Sequence, residues 1–172
     1  MNLCDEILEE YSKPHAIKIA NYACASEKNF SELIKCFLDE DYRLSQRAAW
    51  SVSWAARKKP GMIFPHIKDL VSVLHMKNVH DAVIRNSLRV LQDIEIPEKF
   101  EGEVMEACFQ FIEKPLTAVA IKVFSLTCLF NLSKKYPEIK PELKLIIETC
   151  WDHETAAFKS RAKKILSILE KK

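Results

Sequence analysis

Apolar residues recur at intervals of three and four along nearly the whole chain, and no segment alternates as a half-buried strand does. Leu33, Cys36 and Phe37 form one such set, and Val104, Cys108 and Ile112 another. Prolines punctuate the pattern. Pro14, Pro65, Pro97, Pro115 and Pro137 fall at or near predicted helix starts, where a missing N–H costs nothing. Lys59-Pro60-Gly61 predicts a helix stop, and Asn29-Phe30-Ser31-Glu32 a capping box. The pattern predicts about ten helices, over residues 2–12, 15–26, 29–39, 42–59, 63–77, 79–95, 98–113, 115–136, 139–151 and 154–170.

These helices pair off. After the start of each second helix a basic residue recurs, at Arg47, Arg85, Lys122 and Arg161, spaced by 38, 37 and 39 residues. His15 holds the equivalent place in a shorter first unit, 32 residues before Arg47. A two-helix period of this length marks an α-solenoid, whose pairs must stack because none buries its apolar stripe alone. The expectation is an all-α, single domain over 1–172. It is an α-α superhelix of about five stacked antiparallel helix pairs.

Leu33-Ile34-Lys35-Cys36-Phe37-Leu38-Asp39-Glu40-Asp41, followed by Arg47-Ala48-Ala49, resembles the HEAT-repeat pattern of a helix, an acidic turn and a second helix opening on Arg and small residues. Val83-Ile84-Arg85-Asn86-Ser87 and Ser160-Arg161-Ala162 match less completely, and Lys122 stands where the fourth unit would have Arg. The resemblance spans almost the full chain. It implies a HEAT/armadillo-like stack in which the second helices line the concave surface.

Composition narrows the functions. The chain has 172 residues, 48% hydrophobic and 29% charged, an ordinary globular balance. Its two glycines, Gly61 and Gly102, are too few for a P-loop or a dinucleotide-binding turn. The six cysteines are scattered among apolar positions without a C-x-x-C pair, as buried reduced thiols are. The start lacks the basic-then-apolar run of a signal peptide, which sets the expectation of a cytoplasmic protein. Pro115 to Ser133 is the most apolar stretch, but Lys122 interrupts it, so a buried helix is expected rather than a membrane span. No H-x-x-x-H metal spacing and no hydrolase signature is present. His75, His80 and Asp81 read as a turn with Asp81 as N-cap, and Asp39-Glu40-Asp41 as turn and capping chemistry. No catalytic residue, cofactor or metal is therefore assigned.

The net charge of +2 conceals an asymmetry. The second helices of the pairs, with their flanks, hold 17 basic and 5 acidic residues, and the rest of the chain 9 and 19. Such a dipolar surface steers an anionic partner even when the net charge is small. The helix over 42–59 carries the sharpest feature. Arg43, Arg47, Trp50, Trp54, Arg57 and Lys58 share an arc of about 100°, opposite Leu44, Ala48, Ala49, Val52, Ala55 and Ala56. Lys18 and Tyr22 continue this stripe in the unit before, and Arg85 and Arg89 in the unit after, with Gln92 and Asp81 beside them.

These ten residues are the candidate binding site, for an acidic protein segment or a nucleic acid on the concave face. Cations would supply salt-sensitive attraction, and the rings contact area or a stacking platform. The bland alternative wedges Trp50 and Trp54 between adjacent helices under Arg stems. The stripe is also similar to that of HEAT-like DNA alkylation-repair glycosylases, which carry Trp and an acidic residue on a basic concave face. This chain departs from them, since no Asp follows either Trp by one turn and Asp81 would have to approach from the next unit. A third reading makes the Trp face a contact within a larger assembly.

Overall fold

A computed structural model describes residues 2–171. Among them the elements are helical and no strand occurs. The α-helices are α1 (Leu3–Glu9), α2 (Lys13–Ala23), α3 (Glu27–Phe37), α4 (Tyr42–Lys58), α5 (Ile67–Val73), α6 (Asp81–Leu91), α7 (Glu98–Glu113), α8 (Val119–Lys135), α9 (Lys140–Cys150) and α10 (Ala156–Leu169). Short 3-10 turns at Pro60–Met62, Phe64–His66, Pro137–Ile139 and Trp151–His153 join some of them. Every predicted helix is present, and most are trimmed at the ends.

Three boundaries differ for identifiable reasons. α8 begins at Val119 rather than at Pro115. Pro115 disfavours the helical region for Lys114, and the Thr117 N–H bonds the Lys114 carbonyl at 3.2 Å, so the chain turns before the helix starts. α3 is capped by Ser26, whose hydroxyl accepts from the Asn29 N–H at 3.1 Å, so the helix begins before the predicted capping box. α6 is capped by His80, not Asp81: the His80 Nδ1 accepts from the Ala82 N–H at 3.0 Å. Asp41 behaves as expected, its Oδ1 accepting from Arg43 N at 2.8 Å and Leu44 N at 3.2 Å to start α4. Pro60 ends that helix, with Lys59 as its C-cap.

The chain divides into two compact units, Met1–Ile94 and Glu95–Lys172. In the first, α4 lies between α2 and α6, and these second helices of the pairs form one layer. α1 and α3 pack on α4, and α5 on α6. Phe30, Leu33, Phe37, Ala48, Ala49, Val52, Ala55, Ile63 and Leu70 are essentially solvent-free. The run of alanines on α4 explains its many close neighbours, since small side chains let backbones approach. Each large side chain so buried contributes about 1.5–3 kcal/mol. Cys4 on α1 and Cys36 on α3 meet Sγ to Sγ at 2.9 Å, and burial, followed by the Cys4 hydrogen bond, pushes the Cys36 thiol up to about 12.

In the second unit α8 packs against α7, α9 and α10. Val104, Cys108, Ile112, Leu126, Leu129, Leu143, Ile147 and Phe158 fill its core. Lys122 lies inside it with only 4% of its side chain exposed, ion-paired to Glu154 at 8%. Burial pushes the Glu101 carboxyl upward, but hydrogen bonds from Tyr136 and from Lys135, with the Lys135 charge, outweigh that and hold it below the usual carboxylate range. Among the described residues no helix is long and apolar enough to cross a membrane.

Candidate binding face

The helical wheel of α4 divides as its sequence predicts. Leu44, Ala48, Ala49, Val52, Ala55 and Ala56 are buried. On the opposite side Arg43, Arg57 and Lys58 are exposed, and Arg47, Trp50 and Trp54 are half-buried. Because α2, α4 and α6 lie side by side, the candidate residues of all three helices belong to one layer. Lys18 is exposed, and Tyr22, Arg85 and Arg89 are half-buried.

Several of these cations are already engaged. Arg47 donates from a terminal guanidinium nitrogen to the Leu8 carbonyl at 2.7 Å, near the C-terminal end of α1, where a positive charge is favoured. Its guanidinium also lies over the Tyr11 ring, 5.5 Å from the centroid. His15, the first member of the basic series, meets the Glu6 carbonyl through Nε2 at 2.7 Å. Lys18 is ion-paired to Glu6, which raises the Lys18 pKa and lowers that of Glu6, the hydrogen bond between them being the largest cause of each shift. Lys58 donates to the Asn21 Oδ1, and Arg57 faces Asp93 at 3.8 Å. In the second unit Arg161 bonds the Thr127 hydroxyl. The recurring basic residue thus braces neighbouring helices at His15, Arg47, Lys122 and Arg161. Arg43, Arg85 and Arg89 are left, making no side-chain hydrogen bond or ion pair among the described residues.

The two tryptophans are packed more than presented. Trp50 meets Tyr11 edge-on, with centroids 5.5 Å apart and planes at 61°. The crevice beside it, lined by Tyr11, His15, Arg47 and Trp50 among others, holds only about 10 Å³. Trp54 packs with Tyr22 against the core, and Lys13 and Arg57 lie over its ring at 5.2 and 5.9 Å. Its indole N–H is buried without a hydrogen-bond partner among the described residues. Tyr11 and Lys13 were not singled out from the sequence; they sit in and just after the α1–α2 turn, outside the helical period that marked the stripe.

Two further features were not foreseen. Between α4 and α6 lies a cleft of about 210 Å³ lined by Arg57, Arg89 and Asp93 over Ala56, Val90 and Ile94. Burial, then the like charge of Arg57, push the Arg89 guanidinium below the usual arginine range, with Arg85 adding to this and Asp93 opposing it. In the second unit Lys159 and Lys163, one turn apart on α10, lie over the Trp151 ring at 5.7 and 6.0 Å. The four-residue spacing of those lysines was legible; the position of Trp151 in a 3-10 turn was not.

Successive pairs of packed helices define the class. A HEAT repeat domain model matches residues 4–169, so the chain belongs to the HEAT-repeat family, a family of helical-repeat binding scaffolds. No curated protein and no solved structure matches the chain.

Proposed function

We propose that this HEAT-repeat chain is a non-enzymatic binding module whose α2–α4–α6 layer engages an acidic protein segment. The observation carrying this reading is the set of guanidinium groups left over after bracing. Arg43, Arg85 and Arg89 make no ion pair among the described residues, and Arg57 has only a long one, all on the same layer. Arginine presents a planar fork that matches carboxylates in two parallel hydrogen bonds. The half-buried Trp50, Trp54 and Tyr22 rings supply apolar ground between the cations, as anchor regions of interfaces do. In this reading Lys18, Arg47 and Lys58 set the field and the shape of the face, while Arg43, Arg57, Arg85 and Arg89 touch the partner.

The state of the rings favours a protein segment over a nucleic acid. Base stacking needs an open ring face, whereas Lys13 and Arg57 already engage Trp54 and Tyr11 abuts Trp50. A crevice of about 10 Å³ beside Trp50 has no room for an extruded base, so the glycosylase alternative draws no support from it.

The test is fluorescence anisotropy with a labelled oligo-glutamate peptide and a labelled single-stranded DNA carrying the same number of charges, at two salt concentrations. The peptide is expected to bind, to weaken with salt, and to lose about tenfold in affinity when Arg43 and Arg85 are both changed to Glu. Those two residues make no side-chain hydrogen bond or ion pair among the described residues, so the variant is expected to keep its fold, checked by an unchanged circular dichroism spectrum. DNA binding tighter than the peptide would overturn the reading, as would absence of peptide binding at low salt.

A further inference from the structure

We propose that the cleft between α4 and α6 is an anchor subsite that seats one carboxylate of the bound acidic segment, held by the forks of Arg57 and Arg89 in place of Asp93. This deepens the reading above and rests on it. Three features of the cleft point to an oxyanion of this kind.

The first is an imbalance of charge in a confined space. Arg57 and Arg89 both line the cleft, and Asp93 is the single carboxylate there. Asp93 reaches Arg57 at 3.8 Å, too long for the paired bonds of a carboxylate in a guanidinium fork, and both side chains remain partly exposed, at 49% and 42%. Arg89 hydrogen-bonds to no other described residue, although it is half-buried. A guanidinium carries five N–H donors, and a partly desolvated one gains most from an anion that fills its fork.

The second feature is the floor. Ala56, Val90 and Ile94 give the cleft an apolar floor, which lowers the local polarity beneath each charge-assisted bond formed above it. This floor also suits the methylenes of a glutamate side chain. The third is size: about 210 Å³ holds several water-sized groups, enough for a carboxylate with its short stem. The lowering of the Arg89 pKa from the usual arginine value, caused by burial and then by Arg57, accords with two like charges sharing one confined space. Asp93 then acts as an internal stand-in, and its carboxylate competes with the incoming one.

The competition gives the test its sign. The full chain, labelled with nitrogen-15, is titrated with sodium glutarate and separately with inorganic phosphate, at constant ionic strength set by chloride. Arginine Nε–H resonances are followed. The Arg57 and Arg89 signals are expected to shift together and saturate while that of Arg43 does not. Arg89→Gln is expected to weaken glutarate by about tenfold. Asp93→Asn is expected to tighten it by about threefold, a gain that misfolding cannot mimic. Equal shifts at all arginines, or no tightening by Asp93→Asn, would overturn the subsite. Phosphate bound about tenfold tighter than glutarate would overturn the assignment to a carboxylate and point to a phosphate-bearing partner. If oligo-glutamate binds while glutarate leaves Arg57 and Arg89 unmoved, the subsite falls and the binding face stands. If glutarate binds and the peptide does not, the binding face falls and the cleft takes small anions alone.

Discussion

α4 and α8 hold matching places in their units. Each is the second helix of a pair, each spans 17 residues, and each carries the recurring basic residue near its start. They treat that residue differently. Arg47 of α4 stays half-buried, caps the carbonyl end of α1 and covers Tyr11. Lys122 of α8 is sealed in the core against Glu154. On α4 the basic residues beyond Arg47 reach open surface, as Arg43 and Arg57 do. On α8 the others, Lys134 and Lys135, sit in the last turn, where they favour the helix dipole, and Lys135 is drawn to Glu101. At His15, Arg47, Lys122 and Arg161 the basic residue that marks the repeat is therefore a brace, and Arg85 is the member of the series left open. On the α2–α4–α6 layer Arg43, Arg85 and Arg89 are the charges that no brace takes up.

If this contrast holds, Glu154→Ala gives the largest effect. It strands Lys122 in the core and should destabilise the chain by about 3–5 kcal/mol in chemical denaturation. Replacing both partners, as Lys122→Met with Glu154→Leu, should cost little or even stabilise. A Glu154→Ala loss below about 1 kcal/mol would put the pair on the surface and erase the difference between the helices. Arg47→Ala should cost less, about 1.5 kcal/mol, because one charged hydrogen bond is lost and water reaches the Leu8 carbonyl. Equal losses at the two sites would break the comparison.

A pH titration tests the packing of the first unit through Cys36. Cys36 ionises near 12 in the folded first unit and near the ordinary thiol value once unfolded. Between those values the unfolded chain holds fewer protons than the folded one, so stability should fall as pH rises through that window. The Cys36→Ala variant, compared with the parent by urea midpoint at pH 8 and in the alkaline window, should have a shallower slope. Burial of Cys24 and Cys150, which raises those thiols as well, leaves part of the slope in place. An unchanged slope would refute the assignment to Cys36. The smallest effect is expected in the second unit. Gly102 is exposed within α7 and an added Cβ would meet nothing within 4 Å, so Gly102→Ala should raise stability by about 0.5–1 kcal/mol.

The fold was largely legible because helical period, proline placement and the basic series all pointed the same way. The boundary errors came from local chemistry that competes with pattern. Ser26 outranked Asn29 as a cap because its hydroxyl reaches the free N–H one turn earlier, and the ring nitrogen of His80 did the work expected of Asp81. The wheel of α4 located its buried side correctly, since period alone fixes relative faces. Period could not tell which neighbour covers each side chain. The bracing of Arg47, the Lys13 contact with Trp54 and the Arg57–Arg89–Asp93 cleft all depend on residues brought together by packing between helices.

The placement of the indoles has an optical consequence. Trp50 and Trp54 lie in the first unit and Trp151 in the second, each half-buried and each in contact with a ring or a cation. Intrinsic emission therefore divides along the same line as the architecture. A chain keeping only Trp151 would report the melting of its own unit, and one keeping Trp50 and Trp54 the melting of the other. Superimposed curves would describe a molecule that unfolds in a single step, and displaced ones a molecule whose halves let go in turn.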